Sequence, residues 1–231
     1  MSPFGKTMRI SLLLCASLAV AAFAPKAAAD EMSPTEAAGL LKQMQGLREK
    51  EPCAEADFTE EKTSHLLLKP ITSEGSVAFE APDKFRREVK GSNSSLSVSD
   101  GKTMWVYYPN FKETEHYSIG QRSMLNDSLS ALSAGLNFEH IEDYYNFRAF
   151  REPGGYQFQL SPRRPDLKRL VDHVSVWLDN NFMVQKVELF QLNGDHVVTS
   201  YKNVRRLASL PTSTFEFTPP PDVHISYPLG K

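Results

Sequence analysis

Metal ligation, nucleophilic attack and phosphate binding each need particular residues at particular spacings. The six histidines are His65, His116, His140, His173, His196 and His224. No two of them stand four apart with a glutamate between, as a zinc-binding helix requires, and none lies near Cys53 in a ligand pattern. No G-x-S-x-G elbow and no glycine-rich phosphate cradle occurs. Glu139, Glu142 and Asp143 share one helical face, the ordinary pattern of a solvated surface. The basic pairs Arg86-Arg87, Arg163-Arg164 and Arg205-Arg206 are dispersed and read as surface charge. A triad assembled from distant segments leaves no local trace. Even so, nothing here supports an enzyme, and no metal or cofactor is expected.

The elements that could position any site come after residue 29. Lys6 and Arg9 precede an apolar run from Ile10 to Ala24, and Ala27-Ala28-Ala29 gives a small-x-small cleavage pattern. Residues 1–29 therefore read as a secretory signal peptide, too short for a membrane span. Of the charged residues, Lys6, Arg9 and Lys26 and no acid lie in it, so the remainder is acidic. That balance argues against nucleic acid as a partner. Cys15 falls within the apolar run and follows Leu14, where a lipidation signal has a small residue. Cys53 is then alone in the exported chain and cannot form an internal disulfide. Residues 30–231 suffice for a single exported domain.

Ser33 and Glu36 make a capping box with Pro34 at the first helical position. Leu40, Met44 and Leu47 follow at helical spacing, which predicts an amphipathic helix. From Phe58 to about Tyr117 the alternation changes to period two. Val77 and Phe79 alternate with small residues, Phe85, Arg87 and Val89 with charged ones, and Leu96 and Val98 with serine. Asp100-Gly101 and Asn193-Gly194 predict hairpin turns. Leu125, Leu129, Leu132 and Leu136 recur at helical spacing between Arg122 and Phe138, and a short second helix is expected over 139–144. More strands follow, and S-T-F-E-F-T-P-P-P-D-V predicts a short strand closed by prolines. About ten mostly antiparallel strands with a helical insert give an α+β, mainly β fold: a strongly curved sheet or open barrel.

The run T-M-W-V-Y-Y (Thr103 to Tyr108) is apolar on both faces. Two loop residues at Asp100-Gly101 would place Leu96, Val98, Trp105 and Tyr107 on one side of the sheet, and the aromatic side is expected inward. Two readings stay open. The leucine-striped helix fills the curved sheet as an ordinary core, or the two leave a gap that holds an apolar ligand.

V-S-D-G-K-T-M-W-V-Y-Y-P resembles the S-D-G-K-T-L-W-x-Y-x-P segment of the LolA family of periplasmic lipoprotein carriers. F-E-F-T-P-P-P-D-V resembles that family's closing segment, and Asp57-Phe58-Thr59 its early element. Gly75, Pro82, Phe85 and Arg86 fit its G-x-L-x-x-x-x-P-x-x-F-R pattern. The resemblance implies an unclosed antiparallel barrel with a helical lid over an apolar cavity. It also implies a monomeric periplasmic shuttle for the acyl chains of lipoproteins, loaded by an inner-membrane ABC exporter and unloaded to an outer-membrane receptor. The expected lining is Val77, Phe79, Phe85, Leu96, Trp105 and Tyr107 from the sheet and Leu129, Leu132 and Leu136 from the lid. Relatives suggest two rivals: a carrier of another acylated or polyene lipid, and a lipoprotein-sensing regulatory module. The family's arginine before the proline is here Ala81, which implies that lid closure rests on other groups or that the exporter interaction differs.

Overall fold

A computed structural model describes residues 29–118, 141–165 and 167–228. Helix α1 (Pro34–Lys50) begins at the predicted box. The Ser33 hydroxyl accepts from the Glu36 N–H at 3.4 Å, and the Glu36 carboxylate accepts from the Ser33 N–H at 2.9 Å. These bonds satisfy two of the donors that a helix start leaves open. Ala37, Leu40, Leu41 and Met44 form its buried stripe.

Thirteen strands form one sheet among the described residues. They are β1 (Asp30–Glu31), β2 (Cys53–Thr63), β3 (Ile71–Glu80), β4 (Lys84–Lys90), β5 (Ser95–Asp100) and β6 (Thr103–Tyr108). There follow β7 (Glu113–Ser118), β8 (Tyr145–Glu152), β9 (Gly155–Pro162), β10 (Val171–Asp179), β11 (Val184–Gln191), β12 (His196–Leu207) and β13 (His224–Ser226). Their order is β1-β8-β9-β10-β11-β12-β2-β3-β4-β5-β6-β7-β13. Every pairing is antiparallel except that of β13 with β7. The first and last strands of that order do not pair, so the barrel is unclosed. A four-residue helix α2 (Ile141–Tyr144) leads into β8.

Strands β7 and β8 each lie one place from an edge of the sheet, and the edges are opposite ones. Residues 119–140 therefore connect the two sides of the opening. The predicted leucine-striped helix, with Leu129, Leu132 and Leu136, lies outside the described residues.

The inner face is the one that carries α1. The helix stripe joins Ala56, Phe58, Val77, Phe85 and Val89 from one half of the sheet. From the other half it joins Ala149, Phe158, Leu160, Val174, Val176 and Val187. Gly75 is required where the Phe58 ring crosses β3: a Cβ there would stand 1.8 Å from the Glu88 carbonyl oxygen and 2.9 Å from Phe58 Cζ.

Two expectations need correction. The segment Ser213–Val223 is not a strand: it holds a 3-10 turn (Thr212–Phe215) and extended chain, and the closing strand is β13. Three consecutive prolines cannot donate to a ladder, so pairing waits until His224. In the β5–β6 hairpin, Ser99 pairs with Met104 and leaves four residues between them. The Asp100 carboxylate accepts from the N–H groups of Lys102 and Thr103 at 2.8 and 2.7 Å and so organises the longer turn. The register moves by two, not one, and every side chain keeps its predicted companions on a face.

Candidate functional site

Directly opposed residues share a face, so the ladders can be followed from strand to strand. Val77 opposes Ala56 and Arg87, and Phe79 opposes Phe85. Phe85 opposes Ser99, which opposes Met104. Val77, Phe79 and Phe85 therefore lie on the inner face with α1. Leu96 opposes Glu88 and Tyr107, and Val98 opposes Arg86 and Trp105. Leu96, Trp105 and Tyr107 therefore lie on the outer face. The six sheet residues do not form one lining, and the expectation that the aromatic side of the β5–β6 hairpin looks inward is corrected.

The cause lies more than a hundred residues downstream. After β12 the chain turns back and crosses the outer face as a strap. The strap buries Phe215 and sets Phe217 with its centroid 6.1 Å from Trp105 and 5.6 Å from Tyr107. His116 packs tilted against Trp105 at 4.2 Å and meets Tyr227 edge-on at 5.5 Å. Strand β6 is apolar on its outer face because the strap packs there. Met104, Val106 and Tyr108 face inward, and Trp105 and Tyr107 lie beneath the strap.

The inner face has two unlike halves. From β8 through β12 it has a sealed centre: Ala149, Phe158, Leu160, Val174 and Val176 are each 0 or 1 % exposed, with Phe147, Leu189 and Val197 on the same face half-buried. From β4 through β7 Phe85, Val89, Ser99 and Met104 are buried, but Ser95, Ser97, Val106, Tyr108, Glu115 and Tyr117 are only half-buried, so this half is less closed. Two of its tyrosines share one carboxylate. The Tyr117 hydroxyl donates to the Glu115 carboxylate at 2.7 Å, and Tyr108 does so at 3.4 Å. Burial, then the neighbouring carboxylate, pushes both phenols above the usual tyrosine range. They stay neutral donors to Glu115.

Sequence reading placed Arg87 on the surface, but it lies on this inner wall. Its guanidinium donates to Glu60 at 2.7 Å and sits 4.3 Å from the Phe58 ring centroid. Thr199 donates to the same carboxylate at 3.3 Å. Burial raises the nearby Tyr201 phenol above its ordinary range. The signal was present in the alternation: Arg87 stands between Phe85 and Val89 in phase with both.

Other sequence candidates separate. Glu142 and Asp143 are exposed on α2, whereas Glu139 and His140 lie outside the described residues. Ala81 sits in the β3–β4 turn, where its N–H donates to the Pro52 carbonyl at 2.9 Å. Cys53 is 1 % exposed. Burial, aided by Glu80 at 3.7 Å, pushes its thiol upward, so it is a poor nucleophile. Among the described residues no three His, Cys, Asp or Glu side chains converge as metal ligands. A cleft of about 730 Å³ lies between the outer face and the strap. Glu55, Asp57, Arg86 and Arg205 line it, and such charge does not suit a hydrocarbon chain.

Comparison with known proteins agrees with this architecture. A family model described as outer membrane lipoprotein carrier protein LolA matches residues 51–218. The outer-membrane lipoprotein carrier protein of Dechloromonas aromatica is 26% identical over 184 residues, covering 79% of this chain and 85% of the relative. That of Chromobacterium violaceum is 28% identical over 171 residues, covering 74% and 79%. In fold, the chain is similar to an uncharacterized conserved protein from Thermus thermophilus. The TM-score is 0.50 at 11% identity, over 83% of this chain and 99% of that one. With its model matched across most of the sheet and the strap, this chain belongs to the LolA family of outer membrane lipoprotein carrier proteins.

Proposed function

We propose that this protein is a periplasmic, non-enzymatic carrier that holds the acyl chains of lipoproteins against its inner face. It shuttles them from an inner-membrane ABC exporter to an outer-membrane receptor. Residues 1–29 export it, and residues 30–231 act as one carrier domain. The observation that carries this reading is the unclosed sheet of a lipoprotein-carrier family member, with residues 119–140 joining its two sides.

The physical need is plain. Moving one methylene from water to an apolar site is worth about 0.8 kcal/mol, so roughly fifteen exposed methylenes would cost on the order of 12 kcal/mol. A carrier removes that cost only with a wall that reads hydrocarbon without regard to the attached protein. Val77, Phe79 and Phe85, with Val106 and Tyr108, provide that wall from the sheet. Leu129, Leu132 and Leu136 provide it from the connecting segment. In the empty carrier these leucines return to the wall and compete with cargo, which permits release. With Ala81 in place of the family's arginine, this apolar contact is what closes the lid.

Mass spectrometry of material co-purified from the periplasm tests the reading. Acylated lipoprotein is the expected cargo. Free polyene or another lipid would reassign the cargo, and a stoichiometric protein partner without lipid would favour a sensing module. Leu129→Asp or Leu132→Asp should weaken retention of a fluorescent acyl probe, and unchanged retention would remove these leucines from the site.

A further inference from the structure

Strands alternate in direction, so the turns β2–β3, β6–β7, β9–β10 and β11–β12 all lie at one end of the sheet. Large apolar side chains stand exposed at each of them. On the β2–β3 turn, Leu66, Leu67 and Leu68 are 81, 38 and 104 % exposed. Phe111 on the β6–β7 turn is 74 % exposed. Leu170 before β10 and Leu192 after β11 are 48 and 56 % exposed. Ile71 and Ile225 stand at the same end. The turns at the opposite end, around Asp83, Lys102, Gly154 and Asn180, carry no exposed large apolar side chain among the described residues.

Several of these tips are tied together. The Leu192 N–H donates to the Leu170 carbonyl at 3.1 Å. His65 approaches Asp195 at 3.7 Å, which joins the β2–β3 and β11–β12 turns. Exposed cations flank the leucines, Lys62 and Lys69 beside the first turn and Lys168 and Arg169 beside Leu170, interspersed with the exposed acids Glu61 and Asp172.

We propose that this end docks on the anionic surface of a phospholipid bilayer. The leucines enter the interface, and the flanking lysines and arginine meet headgroup phosphates. Apolar tips with lysines and an arginine directly beside them match that surface, because burial of side chains and attraction of those cations to anionic lipid add. A protein partner fits less well. Leucine is under-represented among interface hot spots, and these residues project from separate turns. The inference goes beyond the cargo reading and is independent of it.

Cys53 is buried, so Leu68→Cys gives a single reactive thiol for an environment-sensitive fluorophore. The labelled full exported chain is mixed with phosphatidylethanolamine–phosphatidylglycerol vesicles and with phosphatidylcholine vesicles. A blue shift on the anionic vesicles, much weaker on the neutral ones, is expected. A fluorophore at Asn180→Cys, on the opposite end, should not shift. Lys69→Glu should lower vesicle partition about five-fold, and Leu66→Asp about ten-fold or more. Both variants should bind a fluorescent acyl probe as before, since neither residue touches the inner face. No shift at Leu68 on anionic vesicles, an equal shift on neutral ones, or an equal shift at Asn180 would each overturn the proposal. Unchanged vesicle partition of both variants would likewise overturn it, whereas failure of the native chain to bind an acyl probe, with vesicle binding as expected, would count against the cargo reading alone.

Discussion

The half of the inner face from β8 to β12 and the half from β4 to β7 are built on the same alternation but do different work. In the first, Phe158, Leu160, Val174 and Val176 meet the α1 stripe and are sealed from solvent. In the second, Val106 and Tyr108 face the same way yet stay half-buried, and polar side chains stand among them. On the proposed carrier reading, one half is a core that fixes the barrel, and the other is the wall that cargo would meet. Periodicity shows that a strand has an apolar face. What lies opposite decides whether that face is core or lining.

The largest expected effect tests the filled half. Phe158→Ala should cost about 3–5 kcal/mol in urea unfolding, because the ring is enclosed and its cavity cannot collapse freely. Tyr108→Ala should cost only about 1 kcal/mol, as the side chain is already partly open. Equal costs would erase the distinction between the halves.

Next comes the polar seam between them. Glu60→Ala leaves the Arg87 guanidinium on the inner wall without its carboxylate, at a cost of about 2 kcal/mol. Glu60→Gln should recover part of that loss, because the amide oxygen still accepts the guanidinium hydrogen bond. Indistinguishable urea midpoints for the two variants would mean that no such bond holds the seam.

A smaller effect is expected from the strap. Phe217→Ala should cost about 1–2 kcal/mol and shift Trp105 emission to the red, as the indole loses its cover. Binding of an acyl probe should not change, since both residues are on the outer face. A matching loss of probe affinity would join the strap to the site.

The smallest concerns the cap that starts α1. Ser33→Ala should cost about 1 kcal/mol, read by thermal unfolding near neutral pH. Hydrogen bonds from the Ser33 hydroxyl and N–H, then Arg151, lower the Glu36 pKa from its ordinary 4.5 to about 2. A carboxylate lowered on folding stabilises the fold above its unfolded pKa, and the benefit fades as pH falls toward the folded one. The stability gap between wild type and Ser33→Ala should therefore narrow between about pH 4.5 and 2. A constant gap would place the effect of Ser33 outside this carboxylate.

Much of the architecture was legible because it depends on near neighbours in sequence. The α1 box needs only Ser33, Pro34 and Glu36, and the serine alternation around Leu96 and Val98 marks β5 unaided. Asp100-Gly101 announces a turn, although the Asp100 carboxylate bonds that set its length are a detail of geometry. The inward side of β5 and β6 was not legible. Aromatic content favoured Trp105 and Tyr107, but their partner Phe217 is supplied by a strap more than a hundred residues away. Strands as short as β1 and β13 have no pattern to read. Arg87 was misread because charge suggested surface, while its phase with Phe85 and Val89 placed it inward.

The central claim is that cargo touches the inner face and not the aromatic outer one. Both native tryptophans lie on the outer face: Trp105 beneath the strap, and Trp177 opposite Lys186 with that ammonium 3.7 Å from its ring centroid. A bromine-labelled acyl chain quenches indole only at short range. Fluorescence titration should leave the native protein almost unquenched and strongly quench a Tyr108→Trp variant. Strong quenching of the native tryptophans, with the new one untouched, would contradict the account.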